Sequence, residues 1–166
     1  MLSLIVHAVL GVAVVWFIVG SNRAIFGRPA TGPQVSGLEL ALYAIGISSI
    51  GFGWYHNVRF VMEYTNGAFL NNPLWGDGSW AQYIALMFDN PASSSASADF
   101  TIANVLILPV ITIVDGMRRG IRRPWLFFVA SLFTSFTFAW AFYLITAERE
   151  RRHRQANAPA AAFSPV

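Results

Sequence analysis

Residues 2–20 read LSLIVHAVLGVAVVWFIVG, and this apolar run decides the class of fold. Only Ser3 and His7 interrupt it, and its length matches the about 20 apolar residues that cross a hydrocarbon core as a helix. It has neither the basic start nor the small-residue cleavage site of a signal peptide. We therefore predict a retained transmembrane helix over this stretch.

The composition of the whole chain agrees with a membrane protein. Of its 166 residues, 55% are apolar and 11% are charged, whereas about a quarter of the residues in a soluble domain are charged. This balance excludes an ordinary soluble enzyme. The chain contains no cysteine, which excludes disulfides, thiol nucleophiles and thiolate metal sites.

Further apolar runs follow residue 37. Together with the first run they predict four spans, over residues 2–20, 38–64, 100–117 and 124–146. Pro109 lies within the third span, and a kink is expected there because proline cannot donate a backbone hydrogen bond. We expect residues 1–147 to form a single transmembrane domain, followed by a polar, disordered tail over residues 148–166 that starts as a frayed helix.

An amphipathic segment lies between the second and third runs. Residues 79–90 carry apolar side chains at the spacing of one helical face, namely Trp80, Tyr83, Ile84, Met87 and Phe88. A helix with such a face lies along a membrane surface or covers a bundle. The predicted fold is therefore all-α, an integral membrane bundle of four transmembrane helices plus one amphipathic interfacial helix.

The distribution of arginine predicts the orientation. The positive-inside rule places Arg23, Arg28 and the turn at residues 118–123 in the cytoplasm, and it places the loop at residues 67–99, which has no basic residue, outside. Four spans would then put the arginines of the tail outside, against the rule. If one run does not cross fully, and the short, kinked third run is the best candidate, the tail returns to the cytoplasm.

Several different short motifs lie along the last two thirds of the chain. They are Asn90-Pro91-Ala92-Ser93-Ser94, Ala98-Asp99, the helix end Asp115-Gly116-Met117-Arg118-Arg119 and the helix end Glu148-Arg149. Over roughly residues 50–150 the sequence resembles the DUF2834 family, small bacterial membrane proteins of unknown function. The family commonly has Glu where this chain has Asp115, which is one methylene shorter. The resemblance implies that the protein lies in the plasma membrane of a bacterium, which is its inner membrane. It implies no activity.

The second helix carries a candidate ligand site. His56, Arg59 and Glu63 follow one another at the spacing of one helical face. With Trp80 above them they predict a polar ligand-binding pocket at the outer end. Arg59 could anchor an anion or headgroup, and His56 could carry a proton. The competing interpretation is an ion pair between Arg59 and Glu63.

Two further carboxylates have structural explanations. Asp99 precedes the third predicted span and is expected to cap its free amide groups. Asp115 lies three and four residues before Arg118 and Arg119, which favours an ion pair over a proton site.

The basic turn after the third run indicates contact with lipid. Its arginines are Arg118, Arg119, Arg122 and Arg123. They predict binding of anionic lipid headgroups, at about 1 kcal/mol for each arginine, or simple anchoring of the topology. Nucleic-acid binding would need base-reading elements beside the basic residues, so we expect none. The histidines are too scattered for a metal site, so we expect no metal and no cofactor.

Two functions remain open from the sequence. The first is a non-enzymatic accessory subunit, or a component that binds a lipophilic ligand, in a larger membrane assembly. Gly46, Ser49 and Gly53 on the second helix would permit close contact with a protein partner. The alternative is a membrane-embedded enzyme of lipid or isoprenoid metabolism, with terpene-cyclase-like acid catalysis by Glu63 or Asp99. We favour the first because the chain has no recognisable catalytic set of residues.

Overall fold

The computed structural model describes residues 1–157, and no strand forms in that range. The elements, in chain order, are α1 (Leu2–Ser21), α2 (Arg23–Phe26), α3 (Gly37–Tyr64), α4 (Trp80–Leu86), α5 (Pro91–Thr101), a π-helical segment (Ile102–Ile107), α6 (Leu108–Arg118), α7 (Leu126–Phe133) and α8 (Phe136–Asn157). The predicted all-α class is confirmed for these residues.

Three helices are long and apolar enough to cross a membrane. They are α1, α3 and the helix Pro91–Arg118, which comprises α5, the π-helical segment and α6. The last two have 28 residues each, which makes them about 42 Å long at the usual helical rise. Because a hydrocarbon core is about 30 Å thick, both would project from it. This architecture is consistent with a multi-pass membrane protein.

The fourth predicted span, over residues 124–146, is divided into two helices. The backbone leaves helical geometry at Thr134, where ψ is −92°. Ser135 then caps the start of α8, where its Oγ accepts a hydrogen bond from Phe138 N at 3.0 Å. Serine and threonine side chains compete with the helix for backbone hydrogen bonds, which explains a break at this pair. A bundle of four spanning helices is therefore not confirmed.

The helices α7 and α8 form an antiparallel hairpin. The ring of Phe127, near the start of α7, lies 5.7 Å from that of Phe142 and 5.2 Å from that of Tyr143. With only 8 residues, α7 is about 12 Å long, less than half the thickness of a hydrocarbon core. The hairpin is therefore too short to reach the far end of the bundle.

The tip of the hairpin lies beside the middle of α1 and α3. A Cβ atom on Gly11 would lie 2.8 Å from the carbonyl oxygen of Phe133. Ser49 Oγ lies 2.5 Å from Ser135 Oγ, and a Cβ atom on Gly46 would meet Phe138 at 3.2 Å. The small residues Gly46 and Ser49 thus contact α8 of the same chain.

The buried core surrounds the hairpin. Phe127, Leu108 and Ile18 are almost completely inaccessible, together with Phe142 and Tyr143 of α8. In lipid, helices associate through close packing and interhelical hydrogen bonds rather than through the hydrophobic effect. The tilted and edge-to-face contacts of Phe127 in α7 with Phe142 and Tyr143 in α8 supply that packing.

At the other end of the molecule, α4 packs across α1 and α3. Its Trp80 ring lies 6.4 Å from His7 of α1, and its Tyr83 ring lies 5.4 Å from Phe60 of α3. Ser79 caps the helix by accepting a hydrogen bond from Gln82 N. The helix is shorter than the predicted range of 79–90, because residues 87–90 form turns and bends.

The third membrane helix begins earlier than predicted. Asn90 caps it through hydrogen bonds from the backbone N–H groups of Ala92 and Ser93, and Pro91 is its first residue. Asp99 lies inside the helix, so its predicted capping role is wrong. The π-helical turn ends just before Pro109, whose ring needs room in the preceding turn and which lacks an N–H group.

The predicted tail is helical where the structure describes it. α8 continues to Asn157, so residues 148–157 belong to this helix. The ion pairs Arg151–Glu148 and Arg154–Glu150 support this stretch at helical spacing. The remainder of the tail lies outside the described residues.

Candidate functional site

Four segments meet at one end of the bundle, namely residues 22–39, residues 115–123, the start of α7 and residues 149–157. We call this end the arginine-rich end. The side chain of Asn22 joins the first two segments. It donates to the carbonyl oxygen of Arg122 at 3.0 Å and accepts from Arg122 N at 2.8 Å. Asn22 is buried, so this exchange fixes the basic turn against the end of α1.

Arg149 joins α8 by hydrogen bonds to the segment between α1 and α3. Its Nε donates to the carbonyl oxygen of Ile25 at 3.1 Å, and its Nη2 donates to those of Phe26 and Gly27. Its Nη1 donates to the carbonyl oxygen of Gln34 and to the carboxylate of Glu39. All five N–H groups of the guanidinium therefore have acceptors, which compensates for the burial of this side chain.

Glu39 joins two arginines of α8 to the start of α3. Its side chain is fully buried, and its two carboxylate oxygens accept from Arg149 Nη1 at 2.8 Å and Arg152 Nη1 at 2.5 Å. Arg152 also donates to the carbonyl oxygen of Pro33. Buried charges are costly unless they are paired and fully hydrogen-bonded. Here both conditions are met, so the cluster holds the returning helix at this end.

A second ionic cluster lies on the other side of α8. Asp115 Oδ2 accepts from Arg119 Nε at 2.6 Å and from the Tyr143 hydroxyl at 2.6 Å. The hydrogen bond to Asp115 raises the pKa of Arg119 above its usual value. The ion pair expected for Asp115 is thus confirmed with Arg119.

The end of α8 adds a buried carboxylate to this cluster. Glu150 accepts from Arg154 Nε through Oε1, and its Oε2 lies 3.9 Å from Arg119 Nη1. A cavity of about 450 Å³ opens beside it, lined by Ala24, Ile25, Arg119, Gly120, Glu150, His153, Arg154 and Asn157.

The arginines of this end fall into two groups. Those that form ion pairs are Arg119, Arg149, Arg151, Arg152 and Arg154. Those that form no ion pair within residues 1–157, and whose side chains are exposed, are Arg23, Arg28, Arg118, Arg122 and Arg123. The predicted lipid-binding set thus differs from the exposed set, since Arg119 is engaged by Asp115 while Arg23 and Arg28 are available.

The residues of the outer candidate pocket are not enclosed by the fold. His56, Arg59, Glu63 and Asp99 are exposed, and no hydrogen bond or ion pair joins them within the described residues. Arg59 lies 5.9 Å from the centre of the Tyr55 ring instead of pairing with Glu63. The expected ion pair between Arg59 and Glu63 is therefore wrong.

A shallow cavity of about 280 Å³ does exist at the outer end, but other residues line it. Its lining includes Tyr64, Asn66, Asn71, Trp75 and Asp77. Trp80 packs against His7 instead. The carboxylates considered for acid catalysis, Glu63 and Asp99, are not enclosed, whereas that chemistry needs a carboxyl kept protonated by apolar surroundings.

Sequence reasoning missed Glu39, Arg149 and Arg152 as a cluster. Glu39 stands as a lone carboxylate in the first turn of a long apolar run, and such a group needs a cationic partner. The available partners were the arginines of the tail, which the four-span topology places outside, against the positive-inside rule. Together these two signals would have indicated that the last helix folds back.

Within residues 1–157, no group of three or more His, Cys, Asp or Glu side chains could hold a metal ion. The family model described as "Protein of unknown function DUF2834" matches residues 41–149, which is more than half of the chain. The chain therefore belongs to this family, as the sequence motifs indicated. No curated protein and no solved structure is significantly similar to it.

Proposed function

We propose that this member of the DUF2834 family is a non-enzymatic protein of the bacterial inner membrane that binds anionic lipid headgroups through its arginine-rich end. The observation that carries the proposal is the return of α8. Because Glu39 binds Arg149 and Arg152, the arginines of α8 join those of the loop after α1 and of the basic turn. Every arginine except Arg59 then lies at one end of the molecule.

This arrangement supports a definite orientation. With three spanning helices and a hairpin that returns, the arginine-rich end faces the cytoplasm, and the loop at residues 67–90 faces outward. The conflict that four spans created with the positive-inside rule is then absent. The amphipathic α4 covers the outer ends of α1 and α3 at the membrane surface.

The exposed arginines are suited to lipid headgroups. Arg23, Arg28, Arg118, Arg122 and Arg123 form no ion pair within residues 1–157. Each exposed arginine near an anionic surface contributes about 1 kcal/mol to binding. Trp125, half exposed beside this set, has the position of an interfacial aromatic anchor.

The test compares headgroup preference in two variants. We expect the purified protein to retain phosphatidylglycerol in preference to phosphatidylcholine with matched acyl chains, measured by mass spectrometry of the intact protein–lipid complex. The Arg122→Gln/Arg123→Gln variant is expected to lose about tenfold or more of this preference. Arg59→Gln is the matched control, because Arg59 lies at the opposite end. Equal loss in both variants would contradict the proposal.

We also propose that the protein serves as an accessory component of a larger membrane assembly. Gly46 and Ser49 are occupied by α8, whereas Gly51 and Gly53 have no neighbouring atom within 4 Å of an added Cβ. A partner helix could approach α3 closely at these glycines. Gly53→Leu is expected to abolish the co-purification of a partner protein, whereas Gly20→Leu is expected to retain it. Retention of the partner in both variants would refute this role.

A further inference from the structure

The cavity beside Glu150 has walls of different chemistry. The side chains of Ala24 and Ile25 form an apolar wall, and those of Arg119 and Arg154 form a cationic wall. Its volume of about 450 Å³ is within the range of small-molecule sites. It is an open depression, and its lining does not include the exposed arginines assigned above to anionic lipid.

Glu150 supplies an unusual acceptor to this cavity. The side chain is only 8% exposed, so it is almost fully removed from solvent. Oε1 accepts from Arg154 Nε, but Oε2 has no hydrogen-bond donor in the described part of the chain, since Arg119 Nη1 lies 3.9 Å away. Because no buried side-chain oxygen of the described residues lacks a hydrogen-bond partner, Oε2 is the part of this carboxylate that remains accessible. An N–H donor from a ligand in the cavity can therefore bind it.

The cationic groups of the cavity are partly occupied. Arg119 uses its Nε for Asp115, and Arg154 uses its Nε for Glu150, which leaves the Nη groups of these two lining residues without a hydrogen-bond acceptor in residues 1–157. The charges of Arg119 and Arg154 are balanced by those of Asp115 and Glu150. A ligand without net charge, which carries both a cation and an anion, therefore matches this site better than a simple anion.

We infer that this cavity binds a zwitterionic headgroup with a primary ammonium group and a phosphate, the chemistry of an aminophospholipid. The ammonium donates to Glu150 Oε2, and the phosphate accepts from the Nη groups of Arg119 and Arg154. The inference rests on the proposed function in so far as it places lipid at the arginine-rich end. It uses different residues and a different headgroup.

The ammonium interaction predicts a sharp selectivity. Ethanolamine presents N–H donors, whereas the trimethylammonium group of choline has none. The two phospholipids otherwise share the phosphate and, with matched acyl chains, the apolar part. Discrimination between them therefore reports on the contact with Glu150 and not on the general attraction of arginines for phosphate.

The experiment measures the affinities of the full-length protein for phosphatidylethanolamine and phosphatidylcholine by mass spectrometry of the intact complex. We expect the wild type to favour the ethanolamine lipid about tenfold, as one charge-assisted hydrogen bond allows. Equal affinity for the two lipids in the wild type would overturn the inference without the need for any variant.

Two single variants locate the selectivity. Glu150→Gln is expected to bring the affinity ratio close to one. Glu148→Gln is the matched control, because Glu148 pairs with Arg151 and does not line the cavity. An unchanged ratio in Glu150→Gln, in protein that shows the wild-type circular dichroism spectrum, would overturn the inference.

Two further comparisons complete the test. Soluble phosphoethanolamine, added at the same concentration as the lipid, is expected not to displace it, and full displacement would reject a lipid ligand. The Arg122→Gln/Arg123→Gln variant is expected to keep the preference for ethanolamine over choline. Failure of phosphatidylglycerol binding and failure of ethanolamine selectivity are thus observed separately.

Discussion

Glu39 Oε2 accepts a hydrogen bond from Arg149 Nη1 at 2.8 Å, which joins the start of α3 to the returning end of α8. The two residues are 110 positions apart in the chain. Both side chains are buried, and the same carboxylate also binds Arg152. This contact brings the last group of arginines to the end of the bundle where the others lie.

Replacement of Glu39 tests how much this contact stabilises the fold. Glu39→Gln leaves the buried guanidinium group of Arg149 and the partly buried one of Arg152 without their carboxylate. Removal of one partner of a buried pair costs about 3–5 kcal/mol. We expect a large loss of thermal stability in mild detergent. Glu63→Gln, which removes an exposed carboxylate without an ion pair, is expected to change the melting temperature little. Similar losses in the two variants would contradict the role of Glu39.

The absence of native cysteine permits a direct measurement of topology. Single cysteines at Thr31, Ser95 and Gln155 lie at exposed positions on the loop after α1, on α5 and on α8. If α7 and α8 form a returning hairpin, an impermeant thiol reagent labels Gln155→Cys from the same side as Thr31→Cys. Labelling of Gln155→Cys together with Ser95→Cys would instead support four spans.

The close approach at the hairpin tip predicts a difference between two glycines of α1. A methyl group at Gly11 would lie 2.8 Å from the backbone oxygen of Phe133, whereas one at Gly20 would meet no atom within 4 Å. Gly11→Ala is therefore expected to destabilise the protein by about 1–3 kcal/mol, as overpacking does. Gly20→Ala is expected to be neutral in the same thermal unfolding experiment, and an equal effect of the two would refute the placement of the tip.

The ion pair of Glu148 with Arg151 predicts a pH dependence. The hydrogen bond from Arg151 lowers the pKa of Glu148 below its ordinary value of 4.5. The stabilisation by this pair is therefore fully present above pH 4.5 and is lost as the pH falls through the lower pKa of the folded state. Its size is small because Arg151 is exposed.

Carboxyl NMR of Glu148 measures this shift. We expect the titration midpoint to lie below that of an unpaired glutamate and to return toward it in Arg151→Gln. Arg154→Gln is the control, because Arg154 pairs with Glu150 and leaves Glu148 bonded. A midpoint that does not respond to Arg151→Gln would exclude the ion pair in solution.

Some features of the fold follow from local sequence. The apolar run of α1 and the length of α3 predict spanning helices, because about 20 apolar residues suffice to cross a hydrocarbon core. Asp115 and Arg119 pair because a spacing of four residues puts them on one helical face. The pattern at Trp80 and Tyr83 likewise predicts a helix with one apolar face, and α4 uses that face to cover α1 and α3.

Other features of the fold could not be predicted from the local sequence. The run at residues 124–146 is apolar enough to span, and its division at Thr134 and Ser135 depends on Ser135 capping α8 while it contacts Ser49 of α3. The start of the third membrane helix at Pro91 was missed because a polar, serine-rich first half does not resemble a span. His56, Arg59 and Glu63 are exposed, because a shared helical face places residues side by side but does not enclose them.

The sequence by itself determined that this protein is helical, that it has segments long and apolar enough to cross a membrane, and that its cationic residues are arginines grouped in a few short segments. Hydropathy and composition act locally, so they can be read without knowledge of distant contacts. Only the tertiary structure decided which arginines are exposed and on which end the last helix finishes. Those outcomes depend on one buried carboxylate, Glu39, whose desolvation is compensated by Arg149 and Arg152 from the far end of the chain.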